Sequence, residues 1–470
     1  MIPRARAAWG VLAVVAGALA TLALARWAGA LLQGGPVLYG EGAVAHAAVL
    51  LRDGATYRDA GGPSFVAANY PPLYFALAAI GDPFVSGRLW SAGATLLVAA
   101  LVAWRARRAG PLVAACLALS FVAAFPVMVW GVAVKPDLVA LGLTAAAVVA
   151  LDARRAAAGG ALLALAVLAK PTALLPAGAL LVWLAATDRA LLARGALGAA
   201  PVAAAGVLAI VALGPTAVWT HVVTWNALPW DAGRAGLLAL AGALVLGAPL
   251  AAAALSGAPR GATAAYLAGA AAVAVLGGRE GGTVNYLLDL CAATALALAA
   301  AAPRLGGAAT ALALAATPRL SGAVPLALAA QLAVATAVLD PFGIVPRGGP
   351  ATGAWDDPAR VAVVRAAAPG RGPVLAEDSG WLVASGRDPV VDDLFLWSRL
   401  TDARLVDGTA LIASVTEGRY ELVAAAVDLE RLGAAPAYER ARWSSPLVAA
   451  VLARYRLEGT ASGVWLYRPR

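Results

Sequence analysis

Two side-chain types are so rare in this chain that their positions are informative. Among 470 residues there are two lysines, Lys135 and Lys170, and two histidines, His46 and His221. Lys170 is followed by a proline and divides a long apolar stretch into two short ones. Since a proline break is tolerated within a membrane where the freed backbone lines a cavity, a lysine at this break suits an anionic ligand.

Acidic, amide and arginine residues gather at the same ends of the apolar runs. Glu41 follows the first run, Asp137 lies two residues after Lys135, and Arg279 and Asn285 lie near a further turn. Such groups are often only solvated loop residues: Glu41 could merely cap a helix, and Lys135 and Asp137 could form a self-compensating ion pair. The convergence of several polar turns on one membrane face favours a functional site.

Several chemistries are excluded by the residue types. Two distant histidines cannot form an HExxH zinc site, and the sequence has no GxSxG elbow, Walker lysine or CxxCH haem motif. Cys116 and Cys291 lie inside apolar runs and are predicted to be small buried hydrophobes. The glycine-rich stretch 277–282 could turn N–H groups toward a phosphate, although its spacing is not that of a P-loop.

The composition predicts a helical membrane protein. Hydrophobic residues make up 62% of the chain, charged residues 13%, and the mean hydropathy is +0.80, whereas soluble domains carry about 25% charged residues. Many apolar runs reach the ~20 residues that cross a bilayer. The net charge of +9 comes mostly from short arginine clusters between these runs. Because such clusters are orientation signals, we expect no nucleic-acid partner.

The arginine clusters predict how the chain crosses the membrane. Placing them on the cytoplasmic side gives eleven spans, with the N-terminus in the cytoplasm and the C-terminal tail outside it. The predicted spans are residues 8–32, 86–104, 111–130, 137–152, 158–171, 172–187, 195–214, 235–255, 261–277, 286–302 and 320–339. The run Leu73–Ile80 is short for a span, and we expect it to lie at the interface.

Two domains are predicted. Residues 1–339 form an all-α polytopic membrane domain with an outer loop at 33–85, and residues 340–470 form a small extracytoplasmic α/β domain after a proline- and glycine-rich linker. Within the outer loop, an amphipathic helix over Ala43–Leu51 is expected to lie on the membrane interface. The predicted tail elements are a helix at Pro358–Ala368, strands at Val374–Ala376 and Leu422–Val427, and a hairpin at Tyr455–Tyr467.

The order of short motifs along the chain resembles that of the GT-C class of integral-membrane glycosyltransferases, which includes protein O-mannosyltransferases and lipid A aminoarabinose transferases. The matching segments are Tyr39–Gly42, Tyr70–Tyr74, Gly87–Leu89, Lys135–Asp137, Lys170–Thr172, Asn285–Tyr286, Val374–Asp378, Gly386–Pro389 and Leu466–Pro469. This family typically keeps an acidic residue, often Asp or Asp-Glu, in the first outer loop. Here Gly40 precedes Glu41, so only Glu41 matches that position.

The resemblance implies a reaction and roles for the polar residues. A hexosyl or pentosyl group would pass, with inversion, from a polyprenyl-phosphate donor to a glycolipid, cell-envelope polysaccharide or protein outside the cytoplasm. Glu41 would accept the proton of the acceptor hydroxyl, with Asp137 as a second catalytic residue. The residues implied for the donor phosphate are Lys170, Lys135, Arg88 and Arg279, and those for the donor and acceptor pocket are Tyr70, Tyr74, Asn285, Tyr286 and His46.

Three alternatives stay open at this stage. A divalent metal could be held by Glu41 and Asp137, although no other cofactor is expected. A transporter or flippase of envelope lipids would also place charges among membrane helices, but no repeated half is evident in the sequence. A non-catalytic GT-C-like subunit is the third alternative, since Gly40 lacks a carboxylate. In every case we expect an inner or plasma membrane location, with the lipid bilayer as a partner.

Overall fold

A computed structural model describes residues 3–57, 62–257, 259–306, 320–339 and 357–470. The predicted linker after Asp340 lies outside these described residues. The helices up to residue 339 are α1 Pro3–Leu32, α2 Glu41–Arg52, α3 Pro72–Ala78, α4 Pro83–Ala106, α5 Pro111–Val122, α6 Phe125–Trp130, α7 Asp137–Asp152, α8 Ala156–Ala169, α9 Leu174–Thr187, α10 Arg189–Leu213, α11 Pro215–Trp219, α12 Ala232–Leu255, α13 Gly261–Leu276, α14 Leu288–Gly306 and α15 Leu320–Leu339.

A helix occupies each predicted span, and the chain is a multi-pass membrane protein. Among the described residues, six helices are long and apolar enough to cross a bilayer: α1, α4, α10, α12, α14 and α15. Shorter apolar helices lie between them, and the third predicted span is divided into α5 and α6 at Ala123 and Ala124. The number of eleven crossings therefore stays a prediction. The seven residues of α3 extend only about 10 Å, which is too short for a ~30 Å hydrocarbon core.

Polar contacts join the arginine-bearing loops at one end of the bundle. Arg105 at the end of α4 pairs with Asp152 at the end of α7 over 2.6 Å, and it also donates to Thr263 near the start of α13 over 2.9 Å. Arg154 pairs with Asp188 over 2.7 Å. These contacts place Arg105 and Arg154, from two of the arginine clusters, at the same end of the bundle, as the topology prediction requires.

The amphipathic outer-loop helix exists, but its predicted position on the membrane interface is wrong. Helix α2 begins at Glu41, and Val44, Ala47 and Ala48 are buried as expected for the apolar face. Its other face is buried as well, because the C-terminal tail covers it. A Cβ atom at Gly42 would overlap the backbone of Gly380 in the tail. The apolar pattern therefore identified a helix enclosed by protein on both sides.

The tail is a small α/β layer. Its helices are α16 Asp357–Ala367, α17 Ser379–Val383, α18 Leu394–Asp402, α19 Thr409–Thr416, α20 Ala437–Arg440 and α21 Ser445–Arg454, and its strands are β1 Val374–Ala376, β2 Leu422–Ala425, β3 Tyr455–Ala461 and β4 Val464–Pro469. The strand order is β1-β2-β4-β3, with β1 parallel to β2 and the other pairs antiparallel. The predicted helix, strands and hairpin are confirmed, with the hairpin turning at Ser462 and Gly463.

The tail shares a hydrophobic core with the outer loops of the membrane part. Phe65 and Trp225, from two different outer loops, are buried among tail residues such as Leu394 and Trp397. The Phe65 backbone also bonds to the segment at Val390–Asp392, with Phe65 N donating to Val390 O over 2.8 Å. The tail is therefore held directly over the ends of the membrane helices.

Candidate functional site

A polar cavity of about 210 Å³ lies where the tail covers the ends of the membrane helices. Its wall comes from the first outer loop, the end of α6, the starts of α7 and α9, the loop after α11, the turn before α14, and the starts of α18 and α20. The charged residues of its wall are Lys135, Asp137, Lys170, Arg279, Glu280 and Asp393, and its aromatic residues are Tyr39, Tyr70, Trp130, Tyr286, Phe395 and Tyr438. Many of these positions are far apart in sequence.

One side of the cavity is an ordered group around Asp137. Asp137 begins α7, and its Oδ1 accepts from Lys170 Nζ over 2.7 Å and from Asn285 Nδ2 over 2.9 Å. Lys170 lies at the break between α8 and α9, with its ammonium 5.4 Å from the centre of the Tyr286 ring. Among the described residues, no hydrogen-bond partner reaches the buried Asp137 Oδ2. The group thus combines a fixed ammonium, that of Lys170, with an Asp137 oxygen that can accept a further hydrogen bond.

A second cation lies beside Gly40. Lys135 Nζ donates to the Gly40 carbonyl over 2.6 Å. Gly40 has φ 78°, in the left-handed region that glycine adopts readily, and precedes the first residue of α2. Burial lowers the pKa of Lys135 below its ordinary value, while the nearby carboxylates of Asp393, Glu41 and Asp137 act in the opposite direction.

Arg279 supplies a third cation from the glycine-rich turn. Its guanidinium donates to the side-chain oxygen of Asn226 over 3.1 Å and to the Asn226 carbonyl. The turn does not present the row of backbone N–H groups that its glycines suggested for binding a phosphate. The amides of Gly277, Gly278 and Gly282 donate to backbone carbonyls within the turn and α13.

Glu41 and Arg88 lie behind the cavity wall and not in it. Both side chains are fully buried, and Arg88 Nη2 donates to Glu41 Oε2 over 3.0 Å. The Glu41 carboxylate also accepts from the amides of Val37 and Val134, over 2.7 and 2.9 Å. The expected roles of a base for Glu41 and a phosphate ligand for Arg88 are therefore not supported by their contacts, which instead fix the first outer loop to the start of α7.

Two of the predicted pocket residues also lie outside the cavity. Tyr74 is buried, and its hydroxyl donates to the Gly87 carbonyl over 3.0 Å. His46, on α2, lies with Nδ1 2.7 Å from Asp392 Oδ1 in the tail. Burial raises the pKa of the Asp392 carboxyl, although the neighbouring His46 acts in the opposite direction. His46 therefore joins α2 to the tail and is not among the residues that line the cavity.

Sequence reasoning missed the residues that the tail contributes. Asp393 and Tyr438 line the cavity, and the Tyr39 hydroxyl donates to Asp393 Oδ1 over 3.0 Å. Arg442 lies 4.0 Å from the Tyr39 ring centre and is paired with Glu377 over 2.7 Å. The only sequence signal was an acidic pair at 392–393 before a short apolar helix, which is typical of a helix cap.

An apolar groove of about 340 Å³ continues from the polar cavity. The two share four wall residues, Tyr39, Trp130, Thr283 and Tyr438. The groove is otherwise formed mainly by leucines of α12, among them Leu237, which is 69% exposed, and Leu240, which is 58% exposed. The polar cavity and the apolar groove, which contains exposed leucines, thus share part of their wall.

The described residues do not bring together the side chains that a protein-bound metal requires. No group of three or more His, Cys, Asp or Glu side chains comes together within it. Glu41, one of the two residues suggested for a divalent metal, is instead paired with Arg88. The residues present therefore do not fit a protein-held metal at this position.

The overall structure is similar to that of ArnT from Cupriavidus metallidurans. The apo structure of that protein is 17% identical over 96% of each chain, with a TM-score of 0.57. Its structure bound to undecaprenyl phosphate is 16% identical over 96% of this chain and 97% of that chain, with a TM-score of 0.58. A weaker likeness is to the archaeal oligosaccharyltransferase AglB from Archaeoglobus fulgidus, in complex with an inhibitory peptide and a dolichol-phosphate, at 13% identity, 98% and 74% coverage and a TM-score of 0.49.

No protein-family model matches the sequence, and no curated protein matches it. The likeness is therefore one of fold, and it covers the membrane part and the tail together.

Proposed function

We propose that this chain, which has the GT-C fold, is a membrane glycosyltransferase that moves a sugar from a polyprenyl-phosphate donor to an acceptor. The observation that carries the proposal is the continuity of the polar cavity with the apolar groove. A polyprenyl phosphate has the same two parts, an anionic head and a long apolar chain. The cavity offers cations for the head, and the groove offers leucines for the first isoprene units.

Three cations on the cavity wall suit the phosphate of such a donor. Lys135, Lys170 and Arg279 come from three separate loops, and each is held in place by a hydrogen bond to another part of the chain. A group that leaves as a phosphate gains negative charge, which fixed cations in a water-poor site stabilise. The electrostatics therefore favour departure of the lipid phosphate once the sugar begins to transfer.

The proposed chemistry is a single displacement at the anomeric carbon. The acceptor hydroxyl oxygen forms a bond to that carbon while the bond from the carbon to the phosphate oxygen breaks. The electron pair of the broken bond leaves with the lipid phosphate, and the hydroxyl proton passes to a carboxylate at the cavity. We infer that the acceptor, whether glycan, lipid or protein, enters from the side covered by the tail, because the groove takes the donor.

The proposal is tested with membranes that contain the overproduced chain. They are incubated with a panel of labelled polyprenyl-phosphate sugars, and the labelled product is isolated and identified. Wild-type membranes should transfer label from one of these donors above the level of membranes without the chain. If none of the donors yields a chain-dependent product, the proposed function is wrong.

A variant series connects that activity to the cavity. Replacing Arg279 by Ala removes a phosphate-binding cation without leaving a buried carboxylate unpaired, so the apparent KM for the donor should rise about tenfold or more, as a lost charge-assisted hydrogen bond predicts. Arg154→Ala, which removes an exposed arginine at the opposite end of the bundle, is the matched control and should leave the KM unchanged. Equal KM values for wild type and Arg279→Ala would remove Arg279 from the donor site.

A further inference from the structure

The first outer loop has no carboxylate at the position that faces the cavity. Gly40 occupies that position with φ 78°. A Cβ atom added there would lie 2.9 Å from Lys135 Nζ and 3.9 Å from Asp393 Oδ2. A side chain at position 40 would therefore lie close to the Lys135 ammonium of the membrane part and to the Asp393 carboxylate of the tail.

Asp393 is fixed so that one of its oxygens stays on the cavity side. Its Oδ1 accepts from the Tyr39 hydroxyl over 3.0 Å and from the Leu396 amide, at the start of α18, over 3.0 Å. Oδ2 is the oxygen nearest to Gly40. Burial and the Asp393 charge raise the pKa of Tyr39 well above its ordinary value, so its hydroxyl stays protonated and keeps donating.

The other carboxylates near the cavity each form an ion pair with an arginine or a lysine. Glu41 is fully buried and accepts from Arg88 and two amides. Asp137 pairs with Lys170 through Oδ1 over 2.7 Å, whereas its buried Oδ2 has no hydrogen-bond partner among the described residues. Glu280 lies 3.5 Å from Arg234 and 3.8 Å from an arginine of α18.

We propose that Asp393, a residue of the tail, is the general base of the transfer reaction and supplies the carboxylate that Gly40 lacks. This inference rests on the proposed glycosyl transfer. The proton of the acceptor hydroxyl passes to Asp393 Oδ2 as the hydroxyl oxygen bonds to the anomeric carbon, and the electron pair of the broken bond leaves on the lipid phosphate. Lys135, beside the same position, remains available to that phosphate.

The first test is Asp393→Asn, which keeps the hydrogen bond to the Leu396 amide and removes the charge. The transfer rate should fall about 10²-fold or more, as expected for loss of a general base, while the apparent KM for the lipid-linked donor stays within about twofold. The matched control is Asp407→Asn, since Asp407 is an exposed tail residue that also accepts from a backbone amide at the start of a helix. That variant should keep the wild-type rate.

The second test moves the carboxylate back to the first outer loop. Gly40→Asp is combined with Asp393→Asn, and Gly40→Asn is combined with Asp393→Asn as the neutral control. Asp and Asn both tolerate a positive φ, and the atom that a Cβ would approach is the flexible end of Lys135. Because both double variants carry the same backbone strain, the difference between them reports the charge alone. The Asp variant should be at least tenfold faster than the Asn variant.

Each outcome decides between the two proposals. A wild-type chain that transfers no sugar contradicts the proposed function and removes the basis of this inference. A wild-type chain that transfers sugar while Asp393→Asn stays within threefold of it leaves the function intact and shows that Asp393 is not the base. Equal rates for the two double variants would show that positions 40 and 393 do not serve the same point in the cavity.

Discussion

The carboxylate of Glu41 and the guanidinium of Arg88 form an ion pair that water does not reach. Arg88 also donates to the carbonyls of Ala30 and Gln33, each over 2.7 Å, and to that of Gly35. A charge buried at this depth is tolerated only with a counter-charge and saturated hydrogen bonds. At the scale of single residues, this pair holds the end of α1, the first outer loop and α4 together.

Glu41→Gln should therefore act mainly on stability. It leaves the buried Arg88 charge uncompensated, and breaking such a pair costs about 3–5 kcal/mol. We expect the thermal midpoint of the detergent-solubilised protein, followed by fluorescence-detected gel filtration after heating, to fall by several degrees. The transfer rate per folded molecule should fall less than tenfold.

The control for this variant is another acid-to-amide change in an ion pair. Asp188→Asn affects an exposed pair with Arg154 and keeps the bond to the Leu191 amide, so the midpoint should hardly move. A 10²-fold loss of rate in Glu41→Gln at an unchanged midpoint would restore Glu41 as the base that the motif resemblance implied.

The sequence predicted much of the site but not the residues that the tail contributes. Lys135, Asp137, Lys170 and Asn285 stood out because rare polar residues interrupt apolar runs, and the structure brings them together. Asp393 could not be found that way, because a tail of ordinary composition gives an aspartate before a helix no special weight. Its proximity to Gly40 depends on how the tail docks, which no local pattern encodes.

Helix α2 is the element through which the tail docks on the membrane part. One of its faces packs on α3 and α4, and the other meets α17 closely enough that Gly42 and Gly380 face each other backbone to backbone. Only glycine permits this approach. The amphipathic pattern predicted the helix and its bounds within two residues, but the same pattern fits a lipid surface and a protein surface equally well.

Gly42→Ala should disrupt this docking, because the added methyl group would overlap the Gly380 backbone, which cannot rotate away. We expect trypsin to release the tail of the detergent-solubilised protein faster than in wild type, and the sugar-transfer rate to fall with it. Gly34→Ala is the matched control, since a Cβ atom there meets open space. Equal digestion rates for Gly42→Ala and wild type would show that α2 does not hold the tail.

At the scale of the whole molecule, the polar cavity and the arginine-bearing loops lie at opposite ends of the bundle. The arginine clusters come together around Asp152 and Asp188, whereas the lysines meet the tail. We propose that the lysine end faces away from the cytoplasm. Hydropathy and charge predicted a helix at each span and the break between α8 and α9 at Pro171, but not the break between α5 and α6.

This orientation predicts opposite results for two reporter fusions. Alkaline phosphatase fused after Arg470 should be active, because it folds outside the cytoplasm, and the same enzyme inserted at Arg154 should be inactive. Green fluorescent protein at the same two sites should give the reverse pattern. Activity of both phosphatase fusions would mean that the two ends of the bundle are not on opposite sides of the membrane.

The shared cavity also has a consequence for the order in which the chain is made. The described membrane helices all precede residue 340, but the cavity is closed by Asp393, Phe395 and Tyr438. When the ribosome has finished α15, the groove that we propose to bind the donor lipid therefore still lacks the tail that covers the cavity. If the proposed function is correct, the nascent chain cannot transfer a sugar until the tail has been translocated and folded, so we expect the unfinished protein not to react with the cell's lipid-linked sugars.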